Sequence, residues 1–455
     1  MRKRLIFIAI ATALAAAAIG FIVFRPDRAA KVAAGVAAQM LCSRAFVSGQ
    51  PADATVDEML GAAMGPVTKL VRYAIDAEGK SVEARFGLFT RASARFSPGY
   101  GCRLDAAENA PLPAPPPAET APPDDGFAPP SPVTSTDSSL NAALDRVFGE
   151  RAEATPKRVK AVVVVKDGRV VAERYAPGYS PDTPVRSFSI AKSFTNALLA
   201  ILVRDRRLKM ADPFDPPEWR APGDRRAAIT FEELLRMDSG LDASETGSGF
   251  DPVSRMLYAE PDMAGFAASR PLKAKPGELF DYTSVDTLLL DRWLSETLGG
   301  PAGLRAFAER ELFAPLGMRS VTMEFDGRGV FVGSERVFAT PRDFARFGML
   351  FLNDGVAPGG RRILPEGWVA WSRRSTLGAP YGAGFWTLDG PSESAARWAG
   401  AGFPKDGFFA TGNLGQRIYI APSQKLIIAR FGYSAPPTFG IFDDIALIAA
   451  AIKAN

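Results

Sequence analysis

Strands at both ends of the C-terminal part of this 455-residue chain, with a helix-rich stretch between them, predict a mixed α/β (α+β) fold. We expect one antiparallel sheet flanked by helices, with an inserted helical subdomain. An apolar run near the start predicts a membrane anchor, and two cysteines before a proline-rich stretch predict a small disulfide-stapled unit. The predicted boundaries are 1–33 for the anchor, 34–104 for the small unit, 105–137 for a linker and 138–455 for the main domain.

The N-terminal segment has the pattern of an export signal or a signal anchor. Three basic residues, Arg2, Lys3 and Arg4, precede an uncharged apolar run over 5–24 that is long enough to cross a bilayer as a helix. We expect an uncleaved anchor that holds the rest of the chain on the periplasmic side of the inner membrane. The alternative is cleavage at the Ala-x-Ala sequence of residues 13–15, which would release a periplasmic protein.

The chain has only two cysteines, Cys42 and Cys102, and both precede the proline-rich stretch. An even count in an exported chain predicts a disulfide, with two unpaired thiols as the alternative. Two thiols without histidine do not make a zinc site, so no metal is expected. Periodicity predicts helices and short strands for the small unit, the helices at 34–40 and 56–64 and the strands at 67–75 and 81–89.

Residues 105–137 are crowded with proline, and alanine, aspartate, serine and threonine stand between the prolines. Such a stretch cannot bury enough apolar surface to fold by itself. It therefore predicts an extended linker that separates the small unit from the main domain.

The main domain is predicted to begin with a helix over 139–148 and a hairpin whose strands cover 159–165 and 170–175. Asp167-Gly168 between these strands is typical of a type I′ turn. The middle of the domain is rich in helical periodicity. Strands and an amphipathic helix return at the end, the strands at 406–411, 415–421 and 426–432 and the helix at 442–453. We expect strands from both ends of the domain to pair in one sheet.

The composition excludes several classes of function. The chain contains no histidine, which rules out Ser-His-Asp and Cys-His hydrolases and enzymes with histidine-ligated metals. Its 54 basic and 50 acidic residues give a net charge of +4, too balanced to indicate a nucleic-acid partner. Hydrolytic chemistry has to use another base here, and lysine and tyrosine are the side chains that can be tuned for that task.

Ser189 and Lys192 form the only Ser-x-x-Lys sequence of the chain. Pro184 precedes them and apolar residues follow at helical spacing, so the motif is predicted to start a helix. Residues i and i+3 share a helix face, which brings the hydroxyl and the ammonium together. A lysine whose pKa is lowered by burial can take the serine proton, and a helix N-terminus favours developing negative charge. The alternative is a serine that only caps an amphipathic helix.

The Ser-Phe-Ser-Ile-Ala-Lys-Ser-Phe-Thr sequence of residues 187–195 resembles the active-site helix of the serine β-lactamase and penicillin-binding-protein family. Further landmarks of that family follow in the same order, at 229–241, 280–289, 316–318, 339–343 and 412–416. The resemblance spans residues 143–453. It is greatest to the class C-like branch that contains 6-aminohexanoate-dimer hydrolase and related esterases. It implies a β-lactamase/transpeptidase-like fold.

The resemblance also implies roles for the residues that match its motifs. Ser189 would attack the substrate while Lys192 and Tyr282 share its proton, because a phenol near an ammonium has a lowered pKa. Taken alone, such a tyrosine is more often a buried residue of the core. Ser284 would complete the hydrogen-bond network, with an N-cap or turn role as the alternative.

The last motif carries the expected oxyanion hole and the main departure from the family pattern. The backbone N–H of Gln416, together with that of Ser189, would stabilise the oxyanion, and Gly415 would let the strand approach the substrate closely. Lysine or histidine usually stands where this chain has Asn413, which can donate a hydrogen bond but carries no charge. Arg417 would compensate only if strand alternation turns it toward the substrate.

The sequence therefore predicts an exported serine hydrolase that cleaves a small-molecule amide or ester through an acyl-enzyme on Ser189. The substrate is expected to be neutral or amine-bearing, no cofactor is expected, and membrane contact is expected through the N-terminal helix alone. One alternative is a β-lactamase or D-Ala-D-Ala carboxypeptidase. The other is a non-catalytic ligand-binding sensor on the same scaffold.

Overall fold

The computed structural model describes residues 25–88, 90–114, 127–150, 156–436 and 439–454. The apolar run over 5–24 that was predicted to anchor the chain lies outside these ranges. Among the described residues, no helix combines the length and the apolar character needed to cross a membrane.

The strands of the described chain fall into three antiparallel sheets. They are β1 Val71–Asp76, β2 Ser81–Phe86, β3 Thr90–Ser97, β4 Gly101–Leu104, β5 Val159–Lys166, β6 Arg169–Tyr175, β7 Val185–Arg186, β8 Thr322–Met323, β9 Val337–Ala339, β10 Trp386–Thr387, β11 Phe408–Gly412, β12 Gln416–Ala421 and β13 Leu426–Gly432. Within the described residues the sheet orders are β1-β2-β3-β4, β10-β11-β12-β13-β5-β6 and β7-β9-β8.

The helices and helical turns lie around and between these strands. They are Pro26–Phe46, Ala52–Ala54, Thr55–Leu60, Gly61–Met64, Gly65–Leu70, Ser138–Phe148, Phe188–Ile190, Ala191–Arg204, Pro217–Trp219, Arg225–Ala228, Phe231–Arg236, Pro252–Ala259, Met263–Ala268, Ser284–Thr297, Gly300–Ala308, Glu309–Phe313, Ala314–Leu316, Pro341–Leu352, Trp368–Ser372, Glu393–Gly400, Asn413–Gly415, Pro422–Gln424 and Ile441–Lys453.

The largest sheet joins both ends of the main domain, because β13 pairs with β5. This confirms the predicted antiparallel sheet built from early and late strands. The predicted hairpin is also present, since β5 pairs with β6. Asp167 (φ 50°) and Gly168 (φ 83°) both have the positive φ that a type I′ turn requires. The helix-rich middle of the chain is inserted between these two sets of strands, as expected.

Each face of this sheet is covered by helices. Along β5, Val163 packs into the cluster that contains the helix Ala191–Arg204, while Val162 and Val164 pack into the opposite cluster. The opposite cluster includes apolar residues of the helices Ser138–Phe148 and Ile441–Lys453. This alternation is what a strand buried on both faces requires, and it fixes the register of β5 in the sheet.

The small N-terminal unit is more regular than the sequence predicted. The helix Pro26–Phe46 packs on the four-stranded sheet β1-β2-β3-β4. Two strands of this sheet, Thr90–Ser97 and Gly101–Leu104, were not predicted. The helix begins at Pro26, inside the segment assigned to the anchor. The predicted disulfide between Cys42 and Cys102 is confirmed, with a Cα–Cα distance of 6.0 Å.

The described second half of the linker is hydrogen-bonded to the main domain, a contact that its composition did not predict. Val170 N donates to the Phe127 carbonyl at 3.0 Å, and Glu173 N donates to the Val133 carbonyl at 2.8 Å. These bonds lay the second half of the linker along the edge strand β6. An exposed edge strand has unpaired backbone groups, so covering it satisfies them and blocks pairing with another chain. Linker residues 115–126 lie outside the described ranges.

Candidate active site

The Ser-x-x-Lys motif lies where the sequence predicted it, at the start of a helix. Ser189 is in the helical turn Phe188–Ile190, which runs directly into the helix Ala191–Arg204. Lys192 Nζ is 3.2 Å from Ser189 Oγ. The i, i+3 spacing therefore brings the predicted nucleophile and the predicted base into hydrogen-bonding contact.

Lys192 is buried, and its ammonium has a complete set of acceptors. Nζ is 3.2 Å from Ser189 Oγ, 3.0 Å from Ser284 Oγ and 3.1 Å from the Ser334 carbonyl. An ammonium has three N–H donors, so these contacts match its full capacity. The N-cap of the helix Ser284–Thr297 is Thr283, whose Oγ1 accepts from Val285 N at 3.2 Å. Ser284 is thus the first helical residue and contacts Lys192, and its neighbour provides the cap.

Tyr282 belongs to the same group and is not a tyrosine of the core. The Lys192 Nζ lies 4.8 Å from the centroid of its ring, and Tyr282 lines the cleft beside Ser189. The ring packs against Tyr381 at 5.3 Å and Trp386 at 5.5 Å between centroids. These aromatic contacts restrict the orientation of the phenol beside the Ser189 hydroxyl.

The pKa shifts of Lys192 and Tyr282 run opposite to the sequence-based expectation. Burial pushes the pKa of Lys192 down, but Tyr282 and Glu245 together outweigh it and leave that pKa raised. Burial also raises the pKa of the Tyr282 phenol, and the Lys192 ammonium offsets this only in part. Lys192 and Tyr282 therefore titrate as a coupled pair that shares its protons. One proton has to leave this pair before it can accept the proton of Ser189.

A cleft of about 340 Å³ opens in front of Ser189. It is lined by Ser189, Glu245, Thr246, Gly247, Tyr282, Trp386, Thr411, Gly412, Asn413, Leu414, Gly415, Arg417 and Phe439. Of the residues predicted for the last motif, Asn413 and Gly415 line this cleft. Gln416 does not.

Gly415 is required for a reason other than the one predicted. Its φ is +85°, and a Cβ at this position would lie 2.5 Å from Arg430 Nη1 and 2.9 Å from the Phe439 carbonyl. The glycine is therefore needed for a left-handed turn against Arg430, whereas the prediction was close approach to the substrate. The residue that approaches the nucleophile is Gly412, where a Cβ would be 2.2 Å from the Ser187 carbonyl and 3.1 Å from Ser189 N.

Gln416 has a bracing role in the sheet through its side chain. Its Nε2 donates to the Asn413 carbonyl at 2.9 Å and to the Gly432 carbonyl at 2.6 Å, and its Oε1 accepts from Gly432 N at 3.0 Å. These bonds tie the cleft-lining turn Asn413–Gly415 to the end of β13. The role predicted for the Gln416 amide in an oxyanion hole stays a prediction.

Sequence reasoning missed Glu245, a carboxylate in the cleft. Its Oε2 accepts from Ser284 N at 2.6 Å, so it provides a hydrogen-bond acceptor for a backbone N–H at the start of the helix Ser284–Thr297 that has no partner within the helix. It also raises the pKa of both Lys192 and Tyr282. The one available signal was a carboxylate in a Ser-, Thr- and Gly-rich loop just after the motif that ends at Leu241.

Asn413 and Arg417 give the described lining of the cleft no free positive charge. Asn413 is exposed, and its Oδ1 accepts from Leu414 N at 2.8 Å. Arg417 lines the cleft but donates to Asp444 Oδ2 at 2.5 Å and to the Phe439 carbonyl at 2.9 Å. Its charge is thus paired with a buried carboxylate, which argues against the compensation that the sequence left open.

Comparison with protein families agrees with this fold and site. The family model described as beta-lactamase matches residues 144–452, and the chain therefore belongs to the β-lactamase family. The 6-aminohexanoate-dimer hydrolase of Paenarthrobacter ureafaciens is 26% identical over 290 residues, which cover 59% of this chain and 71% of the relative. Penicillin-binding protein 4 of Amycolatopsis lactamdurans is 27% identical over 231 residues, covering 43% of this chain and 58% of the relative.

Solved structures share the fold. A Bacillus anthracis protein with a provisional assignment as a 6-aminohexanoate-dimer hydrolase superposes with a TM-score of 0.56 at 22% identity, over 71% of this chain and 88% of that protein. A β-lactamase of Sulfitobacter sp. EE-36 superposes with a TM-score of 0.53 at 18% identity, over 70% of this chain and 98% of that protein. The family resemblance inferred from the motifs is confirmed, and with it a serine hydrolase of the β-lactamase fold.

Proposed function

We propose that the protein hydrolyses a small-molecule amide or ester through an acyl-enzyme on Ser189. The observation that carries the proposal is the 3.2 Å contact between Lys192 Nζ and Ser189 Oγ at the start of a helix, with the ring of Tyr282 4.8 Å from the same Nζ. The Lys192–Tyr282 pair, after losing one proton to solvent, accepts the proton of Ser189 as Oγ attacks the carbonyl carbon. The pair returns this proton to the leaving amine or alcohol. Water then attacks the acyl-enzyme, and its proton passes through the pair to Ser189.

The oxyanion of each tetrahedral intermediate needs two preorganised donors. One is the N–H of Ser189. For the other we favour the N–H of Asn413, because it directly follows Gly412, the residue that lies against Ser189. The Gln416 amide is the alternative from the sequence, although Gln416 itself is buried and does not line the cleft.

The charges of the cleft favour a neutral or amine-bearing substrate. Glu245 contributes a carboxylate, Asn413 contributes an uncharged amide, and the guanidinium of Arg417 is paired with Asp444. A substrate carboxylate would meet the negative charge of Glu245 without a free cation to bind it. The name of the Paenarthrobacter relative, an amide hydrolase for a dimer of an amino acid, is consistent with an amine-bearing amide.

The decisive experiment measures three chromogenic substrates with the wild type and with Ser189→Ala. The substrates are p-nitrophenyl butyrate, 6-aminohexanoyl p-nitroanilide and a chromogenic cephalosporin that carries a carboxylate. We expect turnover of the first two by the wild type and loss of at least ~10³-fold in Ser189→Ala. Equal rates in the two proteins would overturn the mechanism. Strong turnover of the cephalosporin would instead indicate a β-lactamase.

We further propose that the main domain acts outside the cytoplasm, held by the apolar run over 5–24. The disulfide between Cys42 and Cys102 supports this location, because disulfides persist in oxidising compartments. Protease added to spheroplasts should then degrade the full chain. A chain that stays intact until the inner membrane is lysed would contradict the proposed orientation.

A further inference from the structure

Two large apolar residues beside the active site have an unusual backbone conformation. Phe188, immediately before Ser189, has a φ of 45°, and Leu414, in the turn that lines the cleft, has a φ of 58°. Left-handed conformations are unfavourable for a residue that is not glycine and persist only where the surroundings enforce them. The backbone next to the nucleophile and next to the cleft-lining turn therefore needs support from packing.

That packing comes from the N-terminal unit, which we define as residues 26–104. Phe188 and Leu414 are 2% and 1% exposed, and both belong to a hydrophobic cluster that contains Tyr433. The other fully buried members of this cluster are Ala37, Ala38, Met40, Leu41, Cys42, Met59, Leu60, Val71, Val82, Ala84, Ala94 and Cys102. All of these lie in the N-terminal unit. They are outside residues 144–452, which the β-lactamase family model matches.

A buried polar network makes a second connection between the unit and the catalytic groups. Gln39 Oε1 accepts from Arg186 Nη1 at 2.6 Å, and Arg186 lies in β7, just before Ser189. Arg186 Nη2 donates to Glu335 Oε1 at 2.9 Å. Glu335 directly follows Ser334, whose carbonyl accepts from Lys192 Nζ. One side chain of the N-terminal unit is therefore linked to the segments that hold the nucleophile and the base.

The same glutamine belongs to the group that satisfies a buried carboxyl of the main domain. Glu324 accepts from Gln39 Nε2 at 2.7 Å, from Ser43 Oγ at 2.6 Å and from Cys102 N at 2.8 Å. All three donors belong to the N-terminal unit, and the disulfide holds two parts of this unit together. Gly101 has a φ of +65°, and a Cβ there would lie 2.6 Å from Glu324 Cγ. Only glycine therefore fits at this position, where the backbone passes close to the Glu324 side chain. A buried carboxyl that loses its hydrogen-bond donors destabilises the folded protein, so the N-terminal unit has to stay in place to provide them.

We propose that the N-terminal unit is a positioning element of the active site. It enforces the left-handed conformations of Phe188 and Leu414, and through Gln39 and Arg186 it fixes the segments that carry Ser189 and Lys192. The inference depends on Ser189 being the nucleophile and on no particular substrate. It assigns a catalytic purpose to a segment that the family model does not include.

The test compares Gln39→Leu with Gln50→Leu in the full chain. Gln39→Leu removes the acceptor of Arg186 and one donor to Glu324. Gln50→Leu is the matched control, because Gln50 also lies in the unit and contacts the main domain, through a 3.0 Å bond from Nε2 to the Gly178 carbonyl. The measurement is the acylation rate in the burst with p-nitrophenyl acetate, divided by the number of sites titrated with a fluorophosphonate. We expect this rate to fall about tenfold or more in Gln39→Leu, with the half-saturation constant of the burst rate within about twofold, since misplaced catalytic groups slow acylation more than binding.

The outcomes separate positioning from simple destabilisation. An unchanged acylation rate per titrated site in Gln39→Leu, or an equal loss in Gln50→Leu, would overturn the proposal. If Gln39→Leu does not fold, Ser43→Ala removes a single donor to Glu324 and should give a smaller loss of the same kind, and a wild-type rate there would also overturn it. Turnover that survives in Ser189→Ala would point to failure of the proposed function instead.

Discussion

The active site has two regions, one built around the buried ammonium of Lys192 and one along the lining of the cleft. We call Ser189, Lys192, Tyr282 and Ser284 the floor. Its lysine is buried, and each donor of the ammonium has a partner. We call Glu245, Asn413 and Arg417 the rim. Glu245 and Asn413 are partly or fully exposed, and the charge of Arg417 is directed to Asp444. The difference indicates that the floor determines the reaction, whereas the rim determines which substrates reach it.

The largest expected effect comes from breaking the floor at Lys192. Lys192→Met keeps the length of the side chain but removes the charge and the three donors. A positioned general base contributes 10²–10⁴-fold, so we expect kcat for p-nitrophenyl butyrate to fall by about 10³-fold. KM should change little, because the lysine contacts the reacting groups and does not line the cleft.

The matched control for this variant is Lys209→Met, at an exposed lysine a few residues beyond the same helix. It should retain wild-type kcat. A Lys192→Met protein that keeps most of its kcat, while being as stable to heat as the wild type, would exclude lysine as part of the base. It would leave Tyr282 as the remaining candidate on the floor.

A smaller effect is expected at the point where the rim acts on the floor. Glu245 raises the pKa of both Lys192 and Tyr282, so its removal should lower both. The pair becomes a competent base after losing a proton, and kcat/KM therefore rises with pH through the apparent pKa of the pair. Glu245→Gln should shift this ascending limb to lower pH. Glutamine keeps an oxygen that can accept from Ser284 N, so the helix start should be preserved.

Asp242→Asn is the control for this pH profile, because it removes an exposed carboxylate from the same loop at a position that does not line the cleft. The profile of Asp242→Asn should coincide with that of the wild type. If the Glu245→Gln profile coincides with it as well, the rim has no electrostatic influence on the base. A shift to higher pH would mean that the charge of Glu245 stabilises the deprotonated pair, contrary to its sign.

The floor and the rim also differ in how well the sequence predicted them. In the floor, the contact of Ser189 with Lys192 was predictable because a spacing of three residues at the start of a helix already defines it, whereas Tyr282 and Ser284 were assigned only through the family resemblance. The hairpin at Asp167-Gly168 was predictable for the same local reason. Glu245 was not, because its contact with Ser284 joins loops that are distant in sequence. The raised pKa values of Lys192 and Tyr282 were missed too, since they depend on the burial of the phenol, on its approach to Lys192 and on Glu245, which only the fold establishes.

The support around the floor was equally hidden from sequence reasoning. Phe188 and Leu414 look like ordinary apolar residues, and their positive φ is imposed by packing against a unit far away in sequence. The composition of the linker predicted an extended segment that separates the small unit from the main domain. The hydrogen bonds of its described second half to the edge strand β6 are a contact that composition does not reveal.

The smallest effect is expected from adding a charge to the rim at Asn413. Asn413→Lys would supply the cation that relatives often carry at this position, on an exposed side chain whose ion pairs contribute about 0.2–1 kcal/mol. We therefore expect kcat/KM for a carboxylate-bearing ester, such as a p-nitrophenyl hemisuccinate, to rise by up to about fivefold relative to p-nitrophenyl butyrate. The gain should be larger in the Glu245→Gln background, because Glu245 there no longer competes for the new ammonium. The wild type, Asn413→Lys, Glu245→Gln and the double variant could all give the same ratio of kcat/KM for the two esters. That result would show that Asn413 does not face the substrate, and the substrate preference would then have to originate elsewhere in the cleft.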